Sequence, residues 1–177
     1  MKQNDFQAIV EQYTSFVYNV VYRMMNNAQD AEDVTQETFI SAYRSWDSFQ
    51  GRSSVSTWLY RIAINACLMR LRKERRARAM TQGDYQDMDV MDWVADPSDN
   101  PEGIALNSEL RQEMERAIAD LPPDLRAAVV LRDVQQLSNA DAAEAMGVTV
   151  SSLKARLHRG RVLLRRRLGR YVQAPTP

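Results

Sequence analysis

The residue pattern between Phe49 and Arg76 constrains the fold more tightly than any other part of the chain. It opens with Ser53, Ser54 and Ser56, whose side-chain oxygens suit the N-cap of a helix. Apolar residues then recur at three- and four-residue steps, namely Val55, Trp58, Leu59, Ile62, Ala63, Ala66 and Met69. This spacing predicts a helix that buries one face against a core.

The later turns of the same helix are strongly basic. They carry Arg70, Arg72, Lys73, Arg75 and Arg76, opposed by Glu74 alone. Such a cationic end suits phosphate groups, although a basic run also occurs as a solvated helix surface. The preceding loop favours nucleic-acid contact, because its side chains are able to hydrogen-bond base edges and its neighbouring rings are able to stack on an unpaired base. These residues are Gln50, Arg52, Ser53 and Ser54, with Phe49 and Trp58 beside them.

The composition points to an all-α fold. Six Gly and six Pro in 177 residues leave few tight turns, which disfavours a sheet-rich architecture, and this length suits two small domains.

The single cysteine, Cys67, excludes an internal disulfide and a cysteine-rich metal site, and its place in the apolar helix predicts a packed thiol. No long apolar run or signal-peptide pattern occurs, so we expect a cytosolic protein without a membrane span.

A formal net charge of zero conceals a strong segregation of charge. Acidic residues dominate from Met80 to Asp124, and basic residues dominate from Leu125 onward. Two basic surfaces separated by an acidic segment are still able to bind a polyanion, because the local field attracts it. Residues 80–104 lack a helical period and contain Pro97 and Pro101, so they are predicted to form an acidic, flexible linker. Neither EF-hand spacing nor a nearby histidine supports a metal site there.

Two helices are predicted before the central one. Asp5 to Asn26 carries aromatic and branched residues, including Phe16, at helical spacing, which makes it a core helix. A second helix begins at Asp30 with acids in its first turn, where the helix dipole favours them. Its core-facing residues are Val34, Phe39, Ala42, Tyr43 and Trp46. The opposite stripe, formed by Asp33, Gln36, Glu37 and Ile40, is either a docking face for a basic partner or a solvated helix start.

Helices resume after the linker and end in a helix-turn-helix pattern. One helix is predicted from about Ala105 to the proline pair at 122–123, and another over 124–137. A short Ala-rich helix follows over 140–146, where small side chains allow close contact. Gly147 then supplies the turn, and Thr149 caps a helix that begins at Val150.

The last of these helices suits a DNA major groove. Its inward stripe is predicted to consist of Val150, Leu153, Leu157 and Leu164. Small residues beside long cations face outward, so that the helix approaches closely while the cations reach bases and phosphates. These outward residues are Ser151, Lys154, Ala155, His158 and Arg159. His158 is the only histidine, so it is predicted to face DNA or solvent rather than to bind a metal.

Three blocks in this order resemble the bacterial sigma factors of the extracytoplasmic-function group, which retain only regions two and four. The blocks are DAEDVTQETFISAYRSW, FQGRSSVSTWLYRIAINACLMRLRKERR and LPPDLRAAVVLRDVQQLSNADAAEAMGVTVSSLKARLHRGRVLLRRRL. The resemblance covers nearly the whole chain, and three ordered blocks are far more specific than a lone helix-turn-helix. The resemblance implies a sigma region 2 domain over 1–79, the linker over 80–104 and a sigma region 4 helix-turn-helix domain over 105–172. Met69 departs from the family, in which many members carry Asp at that position.

The resemblance also implies the roles of individual residues. It implies that one segment docks on the clamp helices of the largest polymerase subunit, and the residues that match this segment are Asp33, Gln36, Glu37 and Phe39. Contacts with the minus-ten promoter element are implied for Gln50, Arg52, Ser53, Ser54, Trp58, Arg61, Asn65, Arg70 and Lys73. Contacts with the minus-thirty-five element are implied for Ser151, Ser152, Lys154, Ala155, His158 and Arg159.

An alternative sigma factor is therefore the function that the resemblance implies. Such a protein binds core RNA polymerase, including its beta-subunit flap, and directs promoter recognition, DNA melting and transcription initiation. It is not an enzyme and needs no cofactor, and it is expected to have an anti-sigma partner, which would hold it at the membrane. The absence of a long extension after Arg170 predicts that no C-terminal regulatory domain is added.

Two other classes remain open from the residues themselves. One is an ordinary helix-turn-helix regulator that acts by direct operator binding, with an N-terminal unit that dimerises or binds an effector. The other is a metal-dependent nucleic-acid enzyme that uses the linker carboxylates.

Overall fold

The computed structural model describes residues 2–82 and 108–172, and every regular element in these ranges is helical. The all-α class predicted from the sequence is confirmed. The helices are α1 (Lys2–Met25), α2 (Ala28–Ser45), α3 (Val55–Gln82), α4 (Ser108–Ala119), α5 (Pro123–Val129), α6 (Asn139–Met146) and α7 (Val150–Val172). Residues 80–82 are predicted to belong to the acidic linker but continue α3. The rest of the predicted linker lies outside the described residues, as does the helix start predicted near Ala105.

Helices α1, α2 and α3 form an N-terminal bundle around a shared apolar core. The fully buried side chains of this bundle include Val17, Val20, Val21, Met24, Val34, Leu59 and Ile64. Asn27 caps α2 by accepting a hydrogen bond of 2.9 Å from the backbone nitrogen of Asp30. The predicted start of this helix at Asp30 is therefore wrong by two residues, because the cap precedes the acidic first turn. Ser54 caps α3 as expected, at 3.1 Å from the nitrogen of Thr57.

Several residues predicted to face the core are exposed instead. Met69 is 69% exposed and Phe16 is 53% exposed, while Tyr43 and Val150 are also exposed. Each of them lies at the margin of an apolar stripe. Helical spacing identifies the centre of such a stripe well, but it does not determine how far the neighbouring helices cover its edges.

The second half of the chain, α4 to α7, forms the helix-turn-helix that the sequence predicts. Ser138 caps α6, Gly147 adopts a left-handed φ of 65°, and Thr149 caps α7 at 3.1 Å from the nitrogen of Ser152. The helix predicted over 124–137 is wrong at its end. After Val129 the backbone widens into a π-helical turn over Val130–Val134, and Gln136 has a φ of 59° that ends the helical run.

The two halves pack against each other at an interdomain joint, which we define as the contact of α4, α5 and α6 with α1 and α3. Arg126 of α5 lies in this joint and is only 9% exposed. Its guanidinium donates hydrogen bonds to the carbonyl oxygen of Met24 at the end of α1 and, at 3.0 Å, to that of Leu121. A single apolar core thus continues through both domains, which the sequence did not reveal.

Candidate functional site

An open groove on α2 contains all four residues of the stripe that the sequence singles out. Its volume is about 360 Å³, and its lining residues are Asp33, Gln36, Glu37, Ile40, Ser41 and Arg44. Asp33, Gln36 and Glu37 are exposed, as is the apolar side chain of Ile40. Phe39 lies apart from them, half-buried against the core. The groove therefore offers carboxylates beside an apolar side chain, which suits a basic and amphipathic partner.

A cluster of carboxylates from α2 and α3 surrounds Arg70. Its Nη2 lies 2.6 Å from Asp30 Oδ1 and 3.6 Å from Asp33 Oδ2, while its Nε lies 3.7 Å from Glu74 Oε1. We call these four residues the Arg70 cluster. Since Asp33 belongs both to this cluster and to the α2 groove, Arg70 is linked directly to the groove.

The loop over 50–54 is supported by a group of aromatic rings. The Phe49 and Trp58 rings have centroids 4.7 Å apart, and Trp46 lies 5.6 Å from Phe49 and 5.9 Å from Trp58. Trp58 is half-buried within this group, so its ring serves as a support for the loop. Gln50 and Arg52 extend from the loop into solvent.

The α3 residues assigned to the minus-ten surface do not all share one face. Arg61, Asn65 and Lys73 are exposed, whereas Arg70 is half-buried against the start of α2. At about 100° per residue, Arg70 lies roughly 180° around the helix from Arg61 and about 140° from Asn65. The structure therefore brings Arg61 and Asn65 to one side of α3 and Arg70 to another.

Helix α7 presents the outward face that the sequence predicts. Ser151, Lys154, Ala155, His158 and Arg159 are exposed, while Leu153 and Leu157 are buried on the opposite side. Ser152 is half-buried, and its backbone N–H donates a hydrogen bond to the capping Thr149.

Contacts on the inner side of α7 fix the position of this face. A side chain at Gly160 would place its Cβ 2.9 Å from Val129 Cγ2, so α7 lies directly on α5. Arg161 donates two hydrogen bonds to Asp133, at 2.9 and 2.6 Å, and this pairing raises the pKa of Arg161. The α7 face is thus held rigidly on its domain.

Ionisable groups at the interdomain joint were mostly missed by sequence reasoning. Arg126 interrupts the apolar run of α5, and burial lowers its pKa. Asp124 lies between the two domains, 4.0 Å from Arg72 of α3 and 3.7 Å from Arg156 of α7. The packed thiol predicted for Cys67 is confirmed, and burial raises its pKa to about 12. A charged residue within the apolar run was the one sequence signal that pointed to Arg126.

None of the helices in the described ranges 2–82 and 108–172 has the length and apolarity needed to span a membrane.

Comparisons with known proteins match both halves of the chain. The sigma-70 region 2 family model matches residues 9–77, and the sigma-70 region 4 model matches residues 111–164. The ECF RNA polymerase sigma factor SigW of Bacillus subtilis is 35% identical over 172 residues, covering 94% of this chain and 90% of that protein. The ECF RNA polymerase sigma-E factor of Haemophilus influenzae is 36% identical over 166 residues, covering 92% of this chain and 87% of that protein.

A solved structure extends the likeness to the fold of the whole chain. The sigma factor RpoE of Bartonella quintana, in complex with the anti-sigma factor NepR, matches with a TM-score of 0.70 and 25% identity, covering 93% of this chain and 97% of that chain. Both the family resemblance and the two-domain sigma architecture expected from the sequence are thereby confirmed. The chain belongs to the sigma-70 family, as an extracytoplasmic-function sigma factor that directs transcription initiation by RNA polymerase.

Proposed function

We propose that this sigma factor performs its two tasks on separate surfaces, docking core RNA polymerase through the α2 groove and promoter DNA through α3, its preceding loop and α7. The observation that carries the proposal is the segregation of charge on the folded chain. Exposed carboxylates line the α2 groove, whereas exposed cations lie on α3 and on the outer face of α7. A polyanion is attracted to the latter surfaces and a basic protein to the former.

The polymerase site in this proposal is the α2 groove, with Asp33, Gln36 and Glu37 as its polar contacts. Their exposed side chains are accessible to basic residues of the clamp helices, while the exposed Ile40 adds apolar area to the groove. Phe39, half-buried against the core, belongs to the same stretch of α2 and completes the proposed docking segment. The family resemblance further suggests contact between the C-terminal domain and the beta-subunit flap.

The minus-ten site in this proposal combines the 50–54 loop with the exposed side of α3. Gln50, Arg52, Ser53 and Ser54 would bond the edges of an unstacked base, while Arg61, Asn65 and Lys73 contact the adjoining strand. Trp58 holds the loop in place through its contact with Phe49. Unpairing costs on the order of a few kcal/mol per base, which these contacts offset within the polymerase complex.

The minus-thirty-five site in this proposal is the outer face of α7 in the major groove. Lys154, His158 and Arg159 reach base edges and phosphates, and Ala155 permits close approach. Ser151 and Ser152 lie at the beginning of the helix, where their side chains and backbone are close to the phosphates.

The remaining partners follow from the family. The relatives compared above are named as sigma factors rather than enzymes, and we propose that this chain performs no covalent chemistry of its own. The chain would act in the cytoplasm, where core polymerase and the chromosome are located. The complex of RpoE with NepR supports an anti-sigma partner for this chain as well, and a membrane-bound partner would hold it at the membrane.

Reconstituted transcription tests the proposal and distinguishes it from a helix-turn-helix regulator. Purified chain, core polymerase and a genomic template library should yield RNA that starts at a common promoter sequence. The isolated chain should bind the same duplex only weakly, since recognition needs the polymerase complex. Tight operator binding by the isolated chain, with no new RNA starts, would instead favour the regulator.

Replacing both Asp33 and Glu37 with Ala should weaken binding to core polymerase about tenfold, because two exposed carboxylates of the docking groove are lost. The measurement is a competition titration of labelled chain against core polymerase. A matched control is Glu11→Ala with Glu32→Ala, which removes the same charge from exposed positions outside the groove. Equal losses in both double variants would reject the groove as the docking site.

Replacing Lys154 and Arg159 with Ala should lower the promoter affinity of the polymerase complex about tenfold and reduce its salt dependence. Binding to core polymerase should be unchanged, because these residues lie on the DNA-facing side of α7 and not in the α2 groove. Promoter binding is measured by gel shift at several salt concentrations. Arg111→Ala, on α4, serves as the control for loss of an exposed cation from the same domain. Undiminished promoter affinity in the double variant would rule out α7 as the reading helix.

A further inference from the structure

We propose that Arg70 acts on the polymerase-docking face, as an internal counter-ion that competes with the polymerase for Asp33, and that it does not contact the minus-ten strand. This inference rests on the proposed docking function of the α2 groove. It differs from the family-based expectation, which placed Arg70 among the minus-ten contacts.

The first support is the direction in which Arg70 points. Its guanidinium lies 2.6 Å from Asp30 and 3.6 Å from Asp33, two residues at the start of α2. Glu74, one turn further along α3, lies 3.7 Å from the same guanidinium. A side chain engaged by three carboxylates is held towards α2 and is poorly placed to meet a phosphate.

The second support is the position of Arg70 on α3. The helix turns about 100° per residue, so Arg70 lies roughly 180° from Arg61 and about 140° from Asn65. A strand that follows the exposed Arg61 and Asn65 therefore passes on the far side of the helix. Arg70 lies about 40° from Glu74 and about 60° from both the buried Cys67 and the exposed Lys73, so Lys73 is the one proposed minus-ten residue of α3 near its side.

The third support is that Asp33 belongs both to the docking groove and to the Arg70 cluster. Asp33 both lines the docking groove and lies within salt-bridge distance of Arg70. Its side chain is 48% exposed, so it stays accessible to a basic partner. A partner cation that approaches Asp33 must compete with a cation already present. Since partly exposed ion pairs shift an equilibrium by about two- to fivefold, Arg70 weakens docking by that factor.

A double-mutant cycle tests this competition in the full-length chain. The variants are Arg70→Met, which keeps much of the apolar stem, Asp33→Asn, and the two combined. Affinity for core polymerase is measured by competition titration at low and high salt. Arg70→Met should bind about threefold more tightly at low salt, and the gain should shrink at high salt. Asp33→Asn should bind more weakly, and adding Arg70→Met to it should restore little.

Two controls separate competition from a structural effect. Arg76→Met removes the same charge from an exposed position of α3 outside the Arg70 cluster, and it should leave core affinity within twofold of the parent. Thermal unfolding should show that Arg70→Met folds normally. The affinity of the polymerase complex for a single-stranded minus-ten oligonucleotide should be unchanged by Arg70→Met and reduced by Arg61→Ala with Asn65→Ala.

The outcomes distinguish this inference from the docking proposal on which it rests. Unchanged core affinity in Asp33→Asn would reject the docking groove itself. Weaker docking in Asp33→Asn, combined with no gain in Arg70→Met or an equal gain in both backgrounds, would reject only the role of Arg70. A marked loss of minus-ten strand affinity in Arg70→Met would return Arg70 to the promoter surface and overturn the inference.

Discussion

Replacing Arg126 with Ala should lower the free energy of unfolding by about 3 kcal/mol, which is a large fraction of the stability of a small protein. The change leaves the carbonyl oxygens of Met24 and Leu121 without their donor in a buried joint. It also removes a long side chain from a site that is only 9% exposed, which creates a cavity. The loss should be visible in chemical denaturation followed by circular dichroism.

Two further variants separate the causes of this loss. Arg126→Met fills most of the same volume but donates no hydrogen bond, so its stability should fall between those of the parent and Arg126→Ala. Arg111→Ala removes an exposed arginine from α4 and should change stability by no more than about 0.5 kcal/mol. If Arg126→Ala were as stable as Arg111→Ala, the guanidinium would have no role in holding the joint.

Replacing Gly160 with Val should destabilise the chain by about 2–3 kcal/mol and weaken promoter binding. A Cβ at this position would lie 2.9 Å from Val129 Cγ2 and 3.5 Å from the carbonyl oxygen of Leu125, so α7 must move away from α5. Because Val129 is β-branched and buried, its side chain has little freedom to yield. Chemical denaturation measures the loss of stability. A gel shift with the polymerase complex measures the loss of promoter affinity that we expect when the outer face of α7 is displaced.

Gly169 provides a matched control on the same helix. A Cβ there would meet no atom within 4 Å, so Gly169→Val should be neutral or slightly stabilising through better helix propensity. Similar stability in the two variants would show that the contact between α5 and α7 tolerates separation, contrary to our expectation.

The helices were largely predictable because each has a clear apolar period or a recognisable cap. Thr149 was predicted as a cap from residue type and position, Ser54 was one of three serines predicted to offer a cap, and both cap in the structure. The π-helical turn after Val129 was not predictable, since its residues continue an ordinary helical pattern. Met69 and Phe16 were misplaced because coverage by neighbouring helices decides burial at the edge of an apolar stripe.

The candidate site was predictable in its parts but not in its connections. The exposed stripe of α2 and the outward face of α7 follow from local spacing alone. The prediction for Arg70 followed from its place in the basic end of α3. A sequence shows that a side chain is charged but not which neighbour it points to, and the partner of Arg70, Asp30, lies forty positions earlier in the chain. Arg126 was missed for the same reason, since its acceptor at Met24 belongs to the other domain.

The interdomain joint has a consequence for how far the protein can reach. Elements centred near minus ten and minus thirty-five are separated by about 25 base pairs, or about 85 Å of straight duplex at 3.4 Å per pair. A folded chain of this length has a radius of gyration of about 16 Å, so its closed form spans roughly half of that distance. With Arg126 bonded to Met24, the chain is therefore too short to contact both proposed promoter elements at once, and the proposed function requires the two domains to separate.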